Sequence, residues 1–145
     1  MISIKEIDQK EVELCFELDS NTISLWTKKQ WECEMKKEGL KAIAILKSNK
    51  IIGICLAQII LDEAQINYFS INQEFRRKGY GSFLMSYLIK QCEILTLDRL
   101  LLEVSGVNFI ANKFYNKFKF LTVGIRRNYY RDGSDAILKE KKLIK

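Results

Sequence analysis

Residues 76–82 read Arg-Arg-Lys-Gly-Tyr-Gly-Ser, three cations followed by two glycines one residue apart. An apolar, strand-like run precedes them and a helical pattern follows. A strand that turns through glycine into a helix leaves backbone N–H groups pointing out of the helix N-terminus, where the helix dipole favours an anion. Gly79 and Gly81 remove side chains that would block close approach or forbid a positive φ. Arg76, Arg77 and Lys78 add charge beside them. The competing explanation is a helix start that only needs permissive residues. Two nucleotide motifs are excluded by spacing: a P-loop needs four residues between its glycine and Gly-Lys-Ser/Thr, and a dinucleotide fingerprint needs a third glycine.

The residue inventory narrows the proton chemistry. The chain has no histidine, which rules out His-based triads, Cys–His dyads and His-ligated metals. Cys15, Cys33, Cys55 and Cys92 lie in apolar patterns without short Cys–Cys spacing, as expected of reduced, packed thiols. Any proton transfer therefore falls to Glu, Asp, Tyr, Lys, Cys or water.

At 145 residues, 48% of them apolar, the expectation is one domain over residues 1–145 with a substantial core. No apolar run is long enough to span a bilayer, and the start, MISIKEIDQK, lacks the apolar region of a secretion signal. A cytoplasmic location without membrane association is expected. The net charge of +6 lies partly in the tail LKEKKLIK; it fits a phosphate-rich ligand, an acidic partner or a soluble basic surface. The cations form no stripe interleaved with aromatics, so direct nucleic-acid binding is not expected.

The elements that must position the loop follow from periodicity. ISIKEI reads as a strand, and the residues from Asp8 onward as a helix carrying Val12, Leu14, Cys15 and Leu18. Residues 26–37 read as a second helix that Gly39 ends. LKAIAILK and KIIGICLAQII form a hairpin around Ser48-Asn49, and AQINYFSI continues the meander. Residues 82–95 are helical through Phe83, Leu84, Leu88, Cys92 and Leu95. DRLLLEVS is an apolar strand expected to be buried on both faces. Asn108 is placed to cap a helix running to about residue 119, with Ile110, Phe114 and Phe118 in one row. Two last strands flank the turn 131–134. The meander followed by a strand–helix–strand crossover predicts an α/β (α+β) fold with a mixed sheet.

The pattern Arg76-x-x-Gly79-x-Gly81 after a strand resembles the acyl-CoA pyrophosphate loop of the GNAT acetyltransferases. LEVS (102–105), Asn108, Ala111, Phe114-Tyr115, Phe120, GIRRNYY and DAIL then follow in the order and spacing of that family. The series is similar to the branch that acetylates the N-terminal alanine of a bacterial ribosomal protein. The resemblance covers nearly the whole chain and is densest over residues 67–138. It implies a mostly antiparallel sheet of about seven strands with helices on both faces. It also implies acetyl-CoA as co-substrate, no metal, and a protein N-terminus as acceptor, with the enzyme a monomer or weak dimer.

Carried over residue by residue, the resemblance implies that Phe69, Ser70 and Ile71 offer strand backbone to the pantetheine arm. Arg76, Arg77, Lys78, Gly79, Tyr80, Gly81 and Ser82 would form the pyrophosphate loop, and Asn108 would contact the cofactor. Glu103 would be the general base and Tyr115 the general acid. With no side-chain oxyanion group evident, carbonyl polarisation falls to backbone N–H near Ile71. The residues themselves leave alternatives: Glu103 as a strand carboxylate paired with Arg99 or Arg126, and Tyr115 as a core aromatic. Trp26, Trp31, Tyr129 and Tyr130 fit an acceptor groove or core packing equally. A lysine or small-molecule amine remains a second acceptor class, and a non-catalytic acyl-CoA-binding module a third reading.

This chain departs from the family at three points. Lys119 stands where a glycine is usual, Arg131 where a proline often follows the Tyr-Tyr pair, and Leu25-Trp26-Thr27 where Pro-Trp-Ser is usual. These lie outside the cofactor loop and bear on the acceptor side.

Overall fold

A computed structural model describes residues 1–144; the last residue of the basic tail, Lys145, lies outside it. Seven strands form one sheet in the order β1-β2-β3-β4-β5-β7-β6. The strands are β1 (Ile2–Glu6), β2 (Leu40–Lys47), β3 (Lys50–Ile60), β4 (Glu63–Ile71), β5 (Arg99–Ser105), β6 (Leu121–Arg126) and β7 (Ala136–Lys142). Four α-helices accompany them: α1 (Val12–Ser20), α2 (Lys28–Glu34), α3 (Tyr80–Ile94) and α4 (Phe109–Lys117). Every strand pair is antiparallel except β4–β5, which is joined by the α3 crossover. The sheet is mixed, as the element order predicts, and mostly antiparallel, as the resemblance implies.

Two apolar clusters lie on opposite faces. α3 and α4 cover one face, where Leu84, Met85, Leu88 and Cys92 pack on Ile43, Ile45, Cys55, Leu100, Leu102 and Tyr115. α1 and α2 cover the other, where Cys15, Leu18, Trp31 and Met35 pack on Ala42, Ala44, Ile54, Leu56 and Tyr68. Burying branched residues on both faces of β2 and β3 is the main source of stability, since each buried Leu or Ile contributes roughly 1.5–3 kcal/mol.

Local sequence accounts for most boundaries. Ser48 and Asn49 both take positive φ, 50° and 67°, as a two-residue hairpin turn requires. Thr27 caps α2, accepting from Gln30 N–H, while Gln30 reciprocates to Thr27 N–H. The second helix is thus shorter than its pattern predicts, starting after the cap and ending at Glu34. Gly39, at φ 76°, shapes the entry to β2 rather than the helix end. A β-carbon there would collide with the carbonyl of Ile59.

Three expectations about burial are corrected. β5 alternates instead of burying both faces: Leu100, Leu102 and Val104 are buried, while Leu101 and Glu103 are only half-buried. The α1–α2 layer stops at β4, so one side of β5 has no helix over it. Leu14, Phe83 and Leu95 are exposed, because their helices bury adjacent stripes instead. Ile110 is exposed too, at the first turn of α4, leaving Phe114 and Phe118 to pack.

Candidate active site

The sheet opens at its centre. β4 and β5 pair only over Glu63–Gln65 and Arg99–Leu101. Beyond them β4 carries an extra residue, Asn67, because Leu56 pairs with Tyr68 while Ala57 pairs with Ile66. A bulge bends its strand and increases its twist, and here it turns the end of β4 away from β5. Residues 68–71 keep β3 on one side and have no strand on the other. Asn72 N–H donates to Ile52 O on the β3 side at 2.7 Å. By strand alternation, Ile71 and Phe69 then aim their N–H groups at the open side.

The loop of residues 76–82 closes one end of this opening. Arg77 takes φ 63° and Gly79, the α3 N-cap, takes φ 84°. A left-handed residue at the start of a helix turns successive N–H groups to one side, a concavity suited to anions. Gly79 has no side chain to cap the helix, and the first helical amide to find a carbonyl is Phe83, bonded to Gly79 O at 3.0 Å. The amides of Tyr80, Gly81 and Ser82 precede that bond and point outward. Gly81 lies against the Phe114 ring and Ile71, within 3.6 Å of where its β-carbon would stand. That contact, with Phe69 on Phe114 at 5.5 Å, brings β4, the loop and α4 together.

The side chains of this stretch differ in use. Arg76 Nε donates to Ile71 O at 3.0 Å, so that guanidinium is committed to the end of β4. Arg77 and Lys78 are exposed. Tyr80 lies tilted against Phe75, ring centroids 6.3 Å apart, with Lys47 over its ring at 5.8 Å. Ser82 Oγ accepts from Lys117 Nζ at 2.9 Å, which places a cation from α4 at the loop. Asn108 caps α4, its Oδ1 accepting from Ala111 N–H at 3.1 Å. Asn112 adds a link to β5 through Ser105 O at 2.9 Å.

Glu103 and Tyr115 approach from opposite faces. Ala64 pairs with Leu100, and both face the α3–α4 core; Glu103 therefore faces the other way, on the α1–α2 side. There it forms an ion pair with Arg126 at 3.3 Å, its carboxylate about a quarter exposed. Arg99 instead joins Glu63 and Glu140. Arg126 also lies over the Tyr129 ring at 5.5 Å. Half-buried Tyr130 has its hydroxyl pKa raised, by burial first and then by the charge of Glu103.

Tyr115 is buried on the α3–α4 side between Phe114 and Phe120, with centroids at 5.5 and 5.7 Å. Its hydroxyl has no hydrogen-bond partner among the described residues. Burial raises its pKa, with a smaller effect of the Cys55 thiol. The tyrosine therefore keeps its proton at neutral pH. The turn after α4 fixes it: Lys119 N–H donates to Asn116 O and Phe120 N–H to Tyr115 O, at 3.0 and 3.2 Å. This is the pattern of a Schellman cap.

The aromatic candidates separate. Trp31 is fully buried, bonded through Nε1 to Asp19 at 3.0 Å, and belongs to the core. Trp26 is half-buried on Tyr68, at 5.3 Å. Tyr129 is exposed and packs edge-on against Tyr130 at 5.2 Å. Asp19, Asn112 and Lys117 carry no signal in the sequence, because none sits in a motif and each acts across 7 to 49 residues.

These elements define the class: residues 5–120 match the model of the acetyltransferase (GNAT) family, and the chain belongs to that family of acyltransferases. Two relatives are ribosomal protein bS18-alanine N-acetyltransferases. That of Escherichia coli K12 is 26% identical over 142 residues, 95% of each chain. That of Haemophilus ducreyi is 36% identical over 90 residues, 61% of this chain and 62% of its own. The crystal structure of the Escherichia coli ribosomal-protein-S18-alanine N-acetyltransferase superposes with a TM-score of 0.94 at 25% identity, covering 100% of this chain and 96% of that one. Ard1 from Thermoplasma volcanium shares the fold, with a TM-score of 0.89 at 24% identity and 99% of both chains covered.

Proposed function

We propose that this acetyltransferase uses acetyl-CoA to acetylate the N-terminal α-amine of a protein, specifically the N-terminal alanine of a ribosomal protein, in the cytoplasm. The observation that carries the cofactor half is the freed edge of β4 leading into an uncapped helix start. An extended strand edge suits an amide-bearing arm, and outward amides beside Arg77, Lys78 and Lys117 suit a pyrophosphate. The acceptor half rests on the bS18-alanine N-acetyltransferases that match along nearly the whole chain.

Bound acetyl-CoA supplies an acyl group activated as a thioester. The chain's residues then have three tasks. Ile71 N–H, aimed into the opening, polarises the acyl carbonyl. Glu103 takes the proton that the amine sheds as its bond forms, directly or through water. Tyr115 gives its proton to the departing sulfur, and the burial that holds that proton also makes a bare thiolate costly beside it. Arg126 must release Glu103 as the amine arrives, and Tyr129 and Tyr130 flank the approach. One carboxylate suffices because an α-amine titrates near 7.7–8.0: roughly a third is neutral at pH 7.5, against about 0.1% of a lysine.

The test is incubation with acetyl-CoA and a panel of ribosomal N-terminal peptides, lysine peptides and polyamines, following thiol release and product mass. Acetyl on the α-amine of an alanine-initiated peptide is the expected result. Product on lysine alone removes the acceptor reading while leaving the enzyme class intact.

A further inference from the structure

Asp19 is a fully buried carboxylate that the reaction above does not use. Its Oδ1 accepts from Leu25 N–H and the Tyr68 hydroxyl, both at 2.9 Å. Its Oδ2 accepts from Trp26 N–H and Trp31 Nε1–H, both at 3.0 Å. A buried carboxylate is tolerated when its lone pairs are filled by donors, and here four donors fill them. They come from three places: the loop 21–27, α2 and β4. The Tyr68 hydroxyl also shares a hydrogen bond with Ser70 Oγ at 3.0 Å. An apolar residue would fill the same space, but it would not fix two successive loop amides to a strand.

The place of this network gives it a consequence. Past the bulge at Asn67, Tyr68 and Ser70 face the α1–α2 side, the sheet face that also carries Glu103. Trp26 packs on Tyr68, so the loop lies over the β4 side of the opening. The same loop exposes Ile23 and Leu25. We infer that Asp19 is a positioning residue: it clamps the loop 21–27 to β4 and so fixes one wall of the acceptor site in register with the cofactor strand. The inference rests on the acceptor approaching Glu103 from this face.

Asp19→Asn isolates the effect. The amide keeps the volume but offers one acceptor atom and one NH2. Its NH2 fits best toward Tyr68, whose hydroxyl can accept from it and donate to Ser70 Oγ. Leu25 N–H then loses its acceptor while the Trp31 contact survives. The loop is freed at its centre and the core stays filled.

The experiment measures steady-state kinetics of the full chain on whichever amine the wild type acetylates, with acetyl-CoA affinity by calorimetry. For Asp19→Asn we expect acceptor KM to rise about tenfold with kcat within about threefold, the split that loss of acceptor binding produces. Acetyl-CoA Kd should stay within about twofold. Tyr68→Phe, which removes one donor and keeps the ring, should raise acceptor KM about threefold and carries the test alone if Asp19→Asn does not fold. An unchanged acceptor KM, or a loss of acetyl-CoA affinity as large as the rise in KM, overturns the inference. Wild-type activity on lysine peptides alone would instead sink the acceptor reading, and the KM comparison would be made on those peptides.

Discussion

Beyond Gln65 and Leu101 the two halves of the sheet are built in opposite ways. The β4 arm offers main chain: the strand edge at Phe69 and Ile71, then the amides at the start of α3, with Arg76 committed to the strand end. The β5 arm offers side chains: Glu103 held by Arg126, Tyr130 beside it, and Tyr115 locked between two phenylalanines. A site made of backbone tolerates most substitutions and is damaged mainly by bulk or wrong charge. A site made of side chains is damaged by changing one atom.

Glu103→Gln tests that difference hardest. The amide keeps the shape of the carboxylate but cannot take a proton, so kcat should fall by about 10²–10³. Acetyl-CoA Kd by calorimetry should be unchanged, since the cofactor is assigned to the other arm. A parallel loss of cofactor affinity would erase the division between the arms.

Gly81→Asp is the mirror experiment. An acidic residue in the first turn of α3 favours the helix dipole, and a β-carbon there meets only ordinary contacts at 3.5 Å. The β-carbon would stand against Phe114 and Ile71, and that apolar contact offsets the dipole gain, so thermal stability should hold to within about 1 kcal/mol. The carboxylate would still lie in the turn proposed to hold the cofactor's phosphates, and at an effective dielectric of about 20 two charges 4 Å apart repel by about 4 kcal/mol. Screening by solvent leaves an expected loss of acetyl-CoA affinity of about ten- to a hundredfold. Unchanged affinity would move the pyrophosphate elsewhere.

The same contrast explains what the sequence made legible. The turn from β4 into α3 announces itself because glycines after a strand mark a left-handed helix start, and the hairpin at Ser48-Asn49 is equally local. The opening was not legible, because it depends on the bulge at Asn67, one residue in an ordinary alternating strand. Glu103 stands out in the sequence only through resemblance, and chain spacing leaves its ion-pair partner, Arg126, open between two cations. Trp31 and Trp26 looked alike in sequence; Asp19, well before either in the chain, makes one a core residue. Networks that join α1 to β4 carry no periodic signal.

Tyr115→Phe should cost about tenfold in kcat at little structural expense. The residue is buried but its hydroxyl makes no hydrogen bond among the described residues, so removing it should change stability by less than about 1 kcal/mol. A raised folded-state pKa means that the tyrosine's contribution to stability is present below its ordinary value of 10.0 and lost as pH rises through the folded value. The phenylalanine variant should thus lose less stability than the wild type above pH 10, while the wild-type kcat shows no fall from tyrosine ionisation below it. A kcat equal to that of the wild type would make Tyr115 a core aromatic and nothing more.

The smallest effect lies in the turn that holds this tyrosine. Lys119 adopts φ 71°, the left-handed region, where the family usually has glycine. A β-carbon in that region costs about 1 kcal/mol. The cap persists because Phe120 N–H bonds to Tyr115 O and the two rings pack, at 5.7 Å. Lys119→Gly should relieve the strain and raise stability by up to about 0.5 kcal/mol, less than the full strain because glycine also loosens the unfolded chain. A shift in Tm of about 1–2 degrees would show it. Activity should not move, since Tyr115 is fixed by the ring contacts and the cap, both retained. If kcat instead fell while Tm rose, the strained lysine would be part of how the β5 arm aims its acid. The arm's side chains would then depend on a backbone distortion, as the β4 arm depends on its bulge.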